Sequence, residues 1–506
     1  MSSSIKSTLL KGTITLTVTG ILVKLLGFYN RIFLSNVIGA KEIGIYQLIF
    51  PVYLIVHCIC CTGFELGITK FTAEEAAFGN RRNVINYLKT SFLFSFLLSL
   101  FCMGIIRNNA DFFASILLRQ KQCTICLQII ALSFPFISIK ETILSFFYAL
   151  KKTGQPAMCQ FIEQCIRVLS IFFLSTVLVW FTKDASLAAY GLVAGEIASC
   201  MLSLCFLPNM VRYIKQITAY SKETVLPETI IIKRLLSYCI PLTLNRLLIT
   251  LLSSVEAILI PYCLGRQLGN DSLALELYGI LTGMAMSFIT FPSALTNSLA
   301  MMLLPTISEA QAQKKRGLIT RASTVSLHYC VLLGIFCTAV FLVFGKELGV
   351  LFFHNQTAGE FLFILSWLCP FIYIGTTFTS ILNGLGKTNL TFFNNVIAIL
   401  IRILSILAGI PLLGLKGYLI GLLLSYVTLC LLCVHHVKTC CPLHFSTRKA
   451  LVLPGILALL GMAFSALGKL VLVQTGYPLF LSVSLAIALL TILYGGGSYL
   501  LRLQDI

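Results

Sequence analysis

Long apolar runs separated by short polar segments fill almost the whole chain. A helix that crosses a bilayer needs about 20 mainly apolar residues, and fourteen segments of the sequence meet that requirement. The pattern therefore predicts an all-α polytopic membrane protein with fourteen transmembrane helices. The predicted spans lie near residues 9–35, 43–69, 86–106, 123–150, 157–181, 186–208, 235–260, 276–304, 322–344, 359–383, 390–411, 415–436, 450–473 and 478–501.

Two stretches of this pattern recur 235 residues further along the chain. The segment "PFISIKETILSFFYALKKT", which begins at Pro135, matches "PFIYIGTTFTSILNGLGKT", which begins at Pro370, at nine of 19 positions. At the same offset, "IRVLSI" from Ile166 recurs as "IRILSI" from Ile401. Two matches at one offset indicate a duplicated structural unit.

The repeat aligns the fourth predicted span with the tenth and the fifth with the eleventh. Spans one to six and seven to twelve then form two six-helix lobes that run in the same direction, related by a pseudo-twofold axis along the membrane normal. Such a pair is typical of an alternating-access carrier that holds its substrate between the lobes. The predicted domains are an N-terminal lobe (1–208), a cytoplasmic linker (209–234), a C-terminal lobe (235–438) and two appended helices (450–506).

Composition supports the membrane assignment, because 58% of the residues are hydrophobic and only 11% are charged, against roughly 25% charged in a soluble protein. The net charge of +19 is compatible with nucleic-acid binding. No basic run is interleaved with aromatic residues, however, so we expect no nucleic-acid partner. Basic residues concentrate instead in every second loop. This bias predicts a multi-pass protein of the bacterial cytoplasmic membrane with both termini in the cytoplasm.

Apart from acids at span ends, twelve charged side chains fall inside the predicted spans. There an ionised group costs roughly 2.5–3.5 kcal/mol on insertion scales and needs a partner or a function. The cations outnumber the acids, which favours a substrate that carries phosphate or carboxylate groups. The cations are Lys24, Arg31, Lys140, Arg167, Arg246, Arg402 and Lys469, and the acids are Glu65, Glu141, Glu163, Glu196 and Glu256.

Three of these cations are candidate substrate ligands. Lys24 and Arg31 are seven residues apart in the first span and therefore share a helix face. Arg246 lies in the seventh span, the counterpart of the first. We expect the three side chains to bind a diphosphate, for which arginine offers a bidentate fork. The alternative is that local acids such as Glu65 or Glu256 neutralise them.

A second group of in-span charges is predicted to have a structural or gating role. Glu163 and Arg167 have the i, i+4 spacing of an intrahelical ion pair. The repeat keeps the arginine as Arg402 but has Ala398 in place of the acid. The candidate gating or ion-pair residues are therefore Glu163, Arg167, Arg402, Glu65 and Glu256.

The remaining in-span residues give more local expectations. Lys140 and Glu141 are adjacent, point to different helix faces and are expected not to pair with each other. Lys469 is expected to extend toward an interface. Prolines within spans are candidate hinges, because a missing backbone hydrogen bond lets a helix bend; they are Pro135, Pro241, Pro292 and Pro370.

The sequence offers little catalytic chemistry. It contains no nucleophile elbow, P-loop or HExxH motif, so we expect no catalytic residue and no cofactor. The segment "HHVKTCCPLH", from His435 to His444, holds zinc-ligand types, but its spacing fits no standard finger, and metal binding there stays open. Most of the 19 cysteines lie in apolar runs and are expected to behave as small hydrophobic residues, not as a disulfide framework.

Several longer motifs resemble a known family. The segment "LLKGTITLTVTGILVKLLGFYNRIFLSNVIG" is similar to the opening of the sporulation branch of the multidrug, oligosaccharidyl-lipid and polysaccharide exporter superfamily. The similarity continues from about residue 9 to 440, through "GIYQLIFPVY", "ITKFTAE", "QFIEQCIRV", "IPLTLNRLL", "YGILTGMA", "FPSALTNSLAMMLLPTISEAQAQ" and "ILNGLGKT".

The resemblance implies a flippase that moves an undecaprenyl-diphosphate-linked oligosaccharide or peptidoglycan precursor outward for spore cortex or cell-wall synthesis. Its implied partners are the lipid-linked glycan, membrane lipids and the cell-wall synthesis machinery. Flippases of this kind use a cationic cavity, and their last two helices form a groove for the lipid tail. By position, Lys24, Arg31 and Arg246 fall on basic sites of the branch. Asn36 stands where the branch usually has arginine, and Glu65 replaces its usual proline.

Other functional classes are open to test. An ion-coupled multidrug exporter of the same superfamily would favour acids in its cavity, and cells expressing it would retain less of a cationic dye. A polytopic glycosyltransferase would need a sizeable outer loop with catalytic acids, but the longest such loop, residues 107–122, has Asp111 alone. A non-transporting scaffold for envelope assembly would tolerate the loss of Arg31 and Arg246.

Overall fold

The computed structural model describes residues 3–176, 184–217, 226–443 and 448–501, and every regular element within them is a helix. A helix satisfies its backbone polar groups within its own segment, as a chain in lipid requires. The all-α class predicted from the apolar runs is therefore confirmed. The chain divides into two compact units, which we call unit 1 (residues 1–30 and 37–258) and unit 2 (residues 31–36 and 259–506).

Unit 1 is built from the first ten helices. The long helices at its two ends also contribute a few residues to unit 2. Short π-helical turns at Cys58–Thr62 and Phe113–Leu117 connect neighbouring helices. The helices are α1 (Ser3–His57), α2 (Gly63–Ala77), α3 (Arg81–Asn108), α4 (Ala110–Phe112), α5 (Cys123–Ala131), α6 (Phe134–Ala149), α7 (Gly154–Thr176), α8 (Ala185–Cys205), α9 (Leu207–Gln216) and α10 (Glu228–Leu268).

Unit 2 holds the end of α10 and the eleven helices that follow. Three π-helical turns, Ile280–Ala285, Ser405–Gly409 and Arg448–Val452, and a 3₁₀ turn at Ser366–Leu368 adjoin them. The helices are α11 (Asp271–Gly279), α12 (Met286–Thr290), α13 (Ser293–Ala312), α14 (Arg316–Phe353), α15 (Gln356–Leu365), α16 (Cys369–Gly384), α17 (Thr388–Leu404), α18 (Ile410–Leu413), α19 (Leu415–Cys440), α20 (Leu453–Gln474) and α21 (Leu479–Leu500).

Twelve helical stretches in the described residues are long and apolar enough to cross a membrane, or thirteen if the bent pair α5 and α6 forms one span. The first stretch, Thr17–Ala77, covers the first two predicted spans in 61 residues. Its 61 residues are about three times as many as a helix needs to cross a hydrocarbon core of about 30 Å. Gly39, with φ of 81°, interrupts its helical geometry. The number fourteen remains a prediction.

The predicted hinge prolines lie mostly at helix ends. Pro135 and Pro370 occupy the first turns of α6 and α16, where a missing N–H leaves no helical bond broken. Pro292 is the N-cap of α13, whereas Pro241 lies within α10. The chain bends by 42° between α5 and α6, immediately before Pro135.

The duplicated segment forms matching helices in the two units. Helices α6 and α16 both have 16 residues and begin 235 positions apart. In unit 1, α8 approaches α7 so closely that a Cβ added to Gly195 of α8 would lie 2.8 Å from the carbonyl oxygen of Glu163 on α7. In unit 2, Ser425 Oγ of α19 donates a 2.8 Å hydrogen bond to the carbonyl of Ala398 on α17. The same close helix crossing thus occurs in both units.

The predicted linker, residues 209–234, contains most of α9 and the start of α10 among its described residues. The described residues of this region, 209–217 and 226–234, belong to unit 1. The boundaries of the four predicted domains stay a prediction.

The cysteines are free thiols, as the sequence predicts. Most are buried among apolar side chains. Cys205, at the turn between α8 and α9, and Cys440, at the end of α19, are exposed.

Candidate functional site

The three predicted substrate ligands do not all belong to one unit. Lys24 on α1 is half-buried, and Arg246 on α10 is exposed; both are residues of unit 1. Arg31, also exposed, belongs to the short piece of α1 in unit 2. Its Nη1 donates a hydrogen bond to Ser287 Oγ of α12. A role of these residues in substrate binding stays a prediction.

The two predicted acidic neighbours differ in their surroundings. Glu65 on α2 is half-buried, and the charges of Glu141, Lys140 and Arg246 act on its carboxyl group. Glu256 is buried in α10. The alternative in which a local acid balances one of the three cations stays a prediction.

Asn36 stands where related sequences usually have arginine. It makes two polar contacts at the end of α14. Its Nδ2 donates to the carbonyl of Phe352 at 3.0 Å. Its Oδ1 lies 3.1 Å from His354 Nδ1. An asparagine can form both contacts because its amide carries a donor and an acceptor.

An ion-pair network in unit 1 is centred on Lys140, which is 6% exposed. Its Nζ lies 2.6 Å from Glu196 Oε2, 2.9 Å from Glu163 Oε2 and 3.5 Å from Glu141 Oε1. A buried ammonium group needs such partners, because taking a charge out of water is costly. We call the six side chains of this cluster the Lys140 network; they are Tyr53, Lys140, Glu141, Glu163, Arg167 and Glu196.

The second cation of the network is Arg167. Its Nη2 lies 2.8 Å from Glu163 Oε1, which confirms the predicted i, i+4 pair, and 3.8 Å from Glu196 Oε1. Tyr53 donates a 3.1 Å hydrogen bond to the same oxygen of Glu196. Glu196 is only 3% exposed. Its carboxylate is therefore held by Lys140, Arg167 and Tyr53 together.

Three neighbouring helices supply the charges of the network. Lys140 and Glu141 lie on α6, Glu163 and Arg167 on α7, and Glu196 on α8. Gly195 precedes Glu196 and permits α8 to lie against the backbone of α7. Three carboxylates face two cations, so the fully ionised network has one excess negative charge.

The prediction that Lys140 and Glu141 do not pair is wrong. Successive residues on a helix point in different directions, but both side chains are long. Their flexible stems bring Nζ and Oε1 within 3.5 Å. This contact is the longest of the three that Lys140 makes to carboxylates.

Sequence reasoning also missed the partners of Lys140. Glu163 and Glu196 lie 23 and 56 residues from it along the chain, and no spacing rule links them to it. The available signal was that an in-span lysine and an in-span glutamate each need an opposite charge.

Arg402 on α17, the counterpart of Arg167, has different surroundings. Its Cζ lies 5.6 Å from the centroid of the Tyr426 ring on α19, within the range of a cation–π interaction. At position 398, which the repeat aligns with Glu163, unit 2 has alanine.

Lys469 pairs with an acid that the sequence analysis had not placed in the membrane. Its Nζ lies 2.6 Å from Glu347 Oε1, and the two side chains are 17% and 24% exposed. The contact joins α20 to α14. The Lys469 side chain therefore forms an ion pair with Glu347.

A cavity of about 440 Å³ lies in unit 2 between α14 and α21. Leu332, Leu333 and Phe336 form an apolar wall. Tyr494 lines the other side, and its hydroxyl donates a 2.9 Å hydrogen bond to the carbonyl of Leu332. His328 and Ser498 add polar atoms. The cavity thus suits a mainly apolar ligand.

The histidine and cysteine cluster does not form a metal site within the described residues, where no group of three His, Cys, Asp or Glu side chains could hold an ion. His435 and His436 lie in the last turns of α19. His444 lies outside the described residues.

The fold is that of a membrane transporter. A solved structure of a lipid II flippase MurJ, in an inward closed conformation, superimposes with a TM-score of 0.64 at 15% identity, over 97% of this chain and 99% of that one. A multidrug resistance MATE family transporter of the MOP superfamily, inward-facing, gives a TM-score of 0.63 at 12% identity, over 84% and 98%.

Residues 9–311 match the polysaccharide biosynthesis protein family, and the chain belongs to that family. Stage V sporulation protein B of Bacillus subtilis (strain 168) is 26% identical over 469 residues, which are 91% of this chain and 90% of that protein. Lipid II flippase MurJ of the same organism is 22% identical over 454 residues, or 83% and 81%. The predicted resemblance to the sporulation branch is confirmed.

Proposed function

We propose that the protein is an alternating-access flippase for an undecaprenyl-diphosphate-linked oligosaccharide or peptidoglycan precursor. The observation that carries the proposal is the share of this chain that each solved structure matches. The flippase structure covers 97% of the chain. The multidrug transporter is itself covered to 98% but leaves 16% of this chain unmatched. The more complete match to the flippase structure supports the flippase over the multidrug exporter.

The chemistry of the substrate fits the polar and apolar groups of the chain. We propose Lys24, Arg31 and Arg246 as the ligands of the diphosphate, since Lys and Arg make charge-assisted hydrogen bonds to phosphate oxygens. The polyprenyl tail would lie against α20 and α21, with the apolar wall of Leu332 and Phe336 as part of its path. The protein would move the lipid without making or breaking a covalent bond.

The Lys140 network is the proposed gating element. A buried set of paired charges has few alternative arrangements of low energy, so it favours discrete states of α6, α7 and α8. The other proposed members of the gating group are Arg402, Glu65 and Glu256. The resemblance to Stage V sporulation protein B supports a role in spore cortex or cell-wall synthesis, with both termini in the cytoplasm.

Ion-coupled multidrug export is the second candidate function. The excess carboxylate of the Lys140 network favours it, because such a group can take up a proton or a cation. The similarity of the fold to a multidrug transporter also supports it. An envelope-assembly scaffold is a third candidate, and it would not depend on the proposed substrate ligands.

The deciding experiment uses the purified protein in liposomes that contain a fluorescent undecaprenyl-diphosphate-linked peptidoglycan precursor. A membrane-impermeant quencher reports how much lipid reaches the outer leaflet. We expect rapid additional quenching with the wild type and a rate lower by about tenfold or more for Arg246→Ala, because a hydrogen bond to a charged group contributes roughly 1.5–3 kcal/mol. Arg107→Ala, at the exposed end of α3, is the matched control. Quenching no faster than in empty liposomes, with other lipid-linked sugars also inert, would favour the exporter or the scaffold.

A further inference from the structure

The ends of five helices meet at one end of unit 1. Ile68 of α2, Val84 of α3, Phe147 of α6 and Ile214 of α9 share one buried apolar cluster. A second cluster joins α2 and α3 to the start of α10, through Ile231 and its neighbours. We call this region the basic end of unit 1 because of the side chains that surround the two clusters.

Exposed cations dominate the basic end. The acids nearby are fewer, and the carboxylate of Glu75 is buried and accepts hydrogen bonds from Asn80 and Asn83 at 2.9 Å each. Glu74 and Glu228 are the other acids of the described residues here. The exposed cations are Lys70, Arg82, Lys151, Lys152, Arg212, Lys215, Lys233 and Arg234.

The opposite end of unit 1 is much closer to neutral. There the backbone N–H of Ala185, at the start of α8, donates a 3.0 Å hydrogen bond to Glu42 Oε2 of α1. The start of α8 therefore lies beside this part of α1. Its cations are balanced by nearly as many acids in the described part of the chain. They are Lys41, Arg107, Arg119 and Lys121 against Glu42, Asp111 and Asp184.

Helix α9 lies across the basic end, and its apolar residues at i, i+3, i+4 and i+7 form one face. Ile214 is buried against α3 and α6, with Met210 and Tyr213 packed beside it. Leu207 and Val211 belong to the same helix face as Ile214, but their side chains are 38% and 48% exposed. They are four residues apart and therefore adjacent on the helix surface. With ten residues, α9 is half as long as a spanning helix needs to be.

Basic side chains flank this exposed apolar pair. Arg212 and Lys215 of α9 are exposed. Lys152, after α6, places its Nζ 5.3 Å from the centroid of the Tyr213 ring. A short helix with an exposed apolar strip and flanking cations matches a helix that lies in the plane of a membrane interface and is attracted by anionic lipids.

We propose that the basic end of unit 1 is a binding surface for anionic phospholipid headgroups, with α9 as its interfacial helix. Leu207 and Val211 enter the boundary of the acyl chains, while Arg212, Lys215 and Lys152 contact the phosphates. A soluble acidic partner would leave the apolar pair in water, so the lipid is the better complement. The proposal is independent of the proposed flippase function.

The test measures which lipids the full-length protein retains. The protein is purified from bilayers of equal parts phosphatidylcholine and phosphatidylglycerol, and the bound lipids are counted by native mass spectrometry. We expect a several-fold preference for phosphatidylglycerol in the wild type. Arg212→Glu with Lys215→Glu should abolish most of that preference. Arg107→Glu with Lys121→Glu, at the opposite end, is the matched control and should keep it.

A second measurement places α9 at the bilayer. Val211→Trp, in a background where the native tryptophans are phenylalanine, should be quenched by brominated phosphatidylglycerol. Equal loss of lipid preference in both reversed pairs, no preference in the wild type, or an unquenched Val211→Trp would each overturn the proposal. If the reversed pair on α9 does not fold, Arg212→Gln with Lys215→Gln removes the same charges without reversing them.

Discussion

Helices α6, α7 and α8 of unit 1 and helices α16, α17 and α19 of unit 2 repeat one arrangement with different chemistry. The repeat aligns Lys140 with Gly375, Glu141 with Thr376 and Glu163 with Ala398. Gly195 and Ser425 occupy the same crossing, because each lies against the backbone carbonyl of an aligned residue, Glu163 or Ala398.

That crossing also aligns Glu196, the residue after Gly195, with Tyr426, the residue after Ser425. Only the arginine is common to both arrangements. Arg167 pairs with Glu163 at 2.8 Å, whereas Arg402 lies over the Tyr426 ring. The comparison shows that close packing between helices has been kept in both units, whereas the lysine and the three acids of the Lys140 network align with uncharged residues in unit 2.

The largest expected effect comes from removing the central cation. Lys140→Ala leaves three carboxylates with one remaining cation, and breaking a buried ion pair in this way costs about 3–5 kcal/mol. We expect a large fall in the thermal unfolding temperature of the purified protein. Gly375→Ala, at the aligned position, is the matched control, because a Cβ there meets Leu429 at an ordinary 3.8 Å. Equal stability of the two variants would mean that the Lys140 network contributes little.

A smaller effect is expected at the helix crossing. Gly195→Ala places a Cβ 2.8 Å from the carbonyl oxygen of Glu163, and overpacking of this kind costs about 1–3 kcal/mol. Ser425→Ala, in unit 2, loses a single hydrogen bond and should cost about 1 kcal/mol. Denaturant unfolding in detergent would rank the two. A Gly195→Ala protein as stable as wild type would mean that α7 and α8 can separate freely.

The smallest expected effect on stability is that of replacing the two aligned arginines. Arg402→Gln removes a cation–π contact, for which about 0.5–1 kcal/mol is typical at partly exposed sites. Arg167→Gln removes two contacts to carboxylates and should cost more, on the order of 1–3 kcal/mol. Parallel thermal unfolding of the two variants checks the order. If Arg402→Gln lowered the unfolding temperature more than Arg167→Gln, the arginine of unit 2 would contribute more to stability than that of unit 1, contrary to our expectation.

The sequence predicts those parts of the fold and site that follow from short-range spacing. The Glu163–Arg167 pair is one example, since both residues lie on one helix. The pairing of Lys140 with Glu196 depends on which helices are neighbours, and hydropathy does not contain that information. The Lys140–Glu141 contact was missed because side-chain direction at Cβ does not fix where a flexible ammonium group ends. The polar residues around Gly39 divided the stretch Thr17–Ala77 into two predicted spans, and the helical geometry is interrupted at this glycine.

The exposure of two cysteines gives this protein a natural pair of chemical reporters. Most of the thiols are buried, but Cys205 and Cys440, the last residues of α8 and α19, are exposed. By the predicted topology both positions face the cytoplasm, so a membrane-impermeant maleimide should label them in inside-out vesicles and not in intact cells. Because the native sequence already carries them, the sidedness of both units can be mapped before a single residue is replaced.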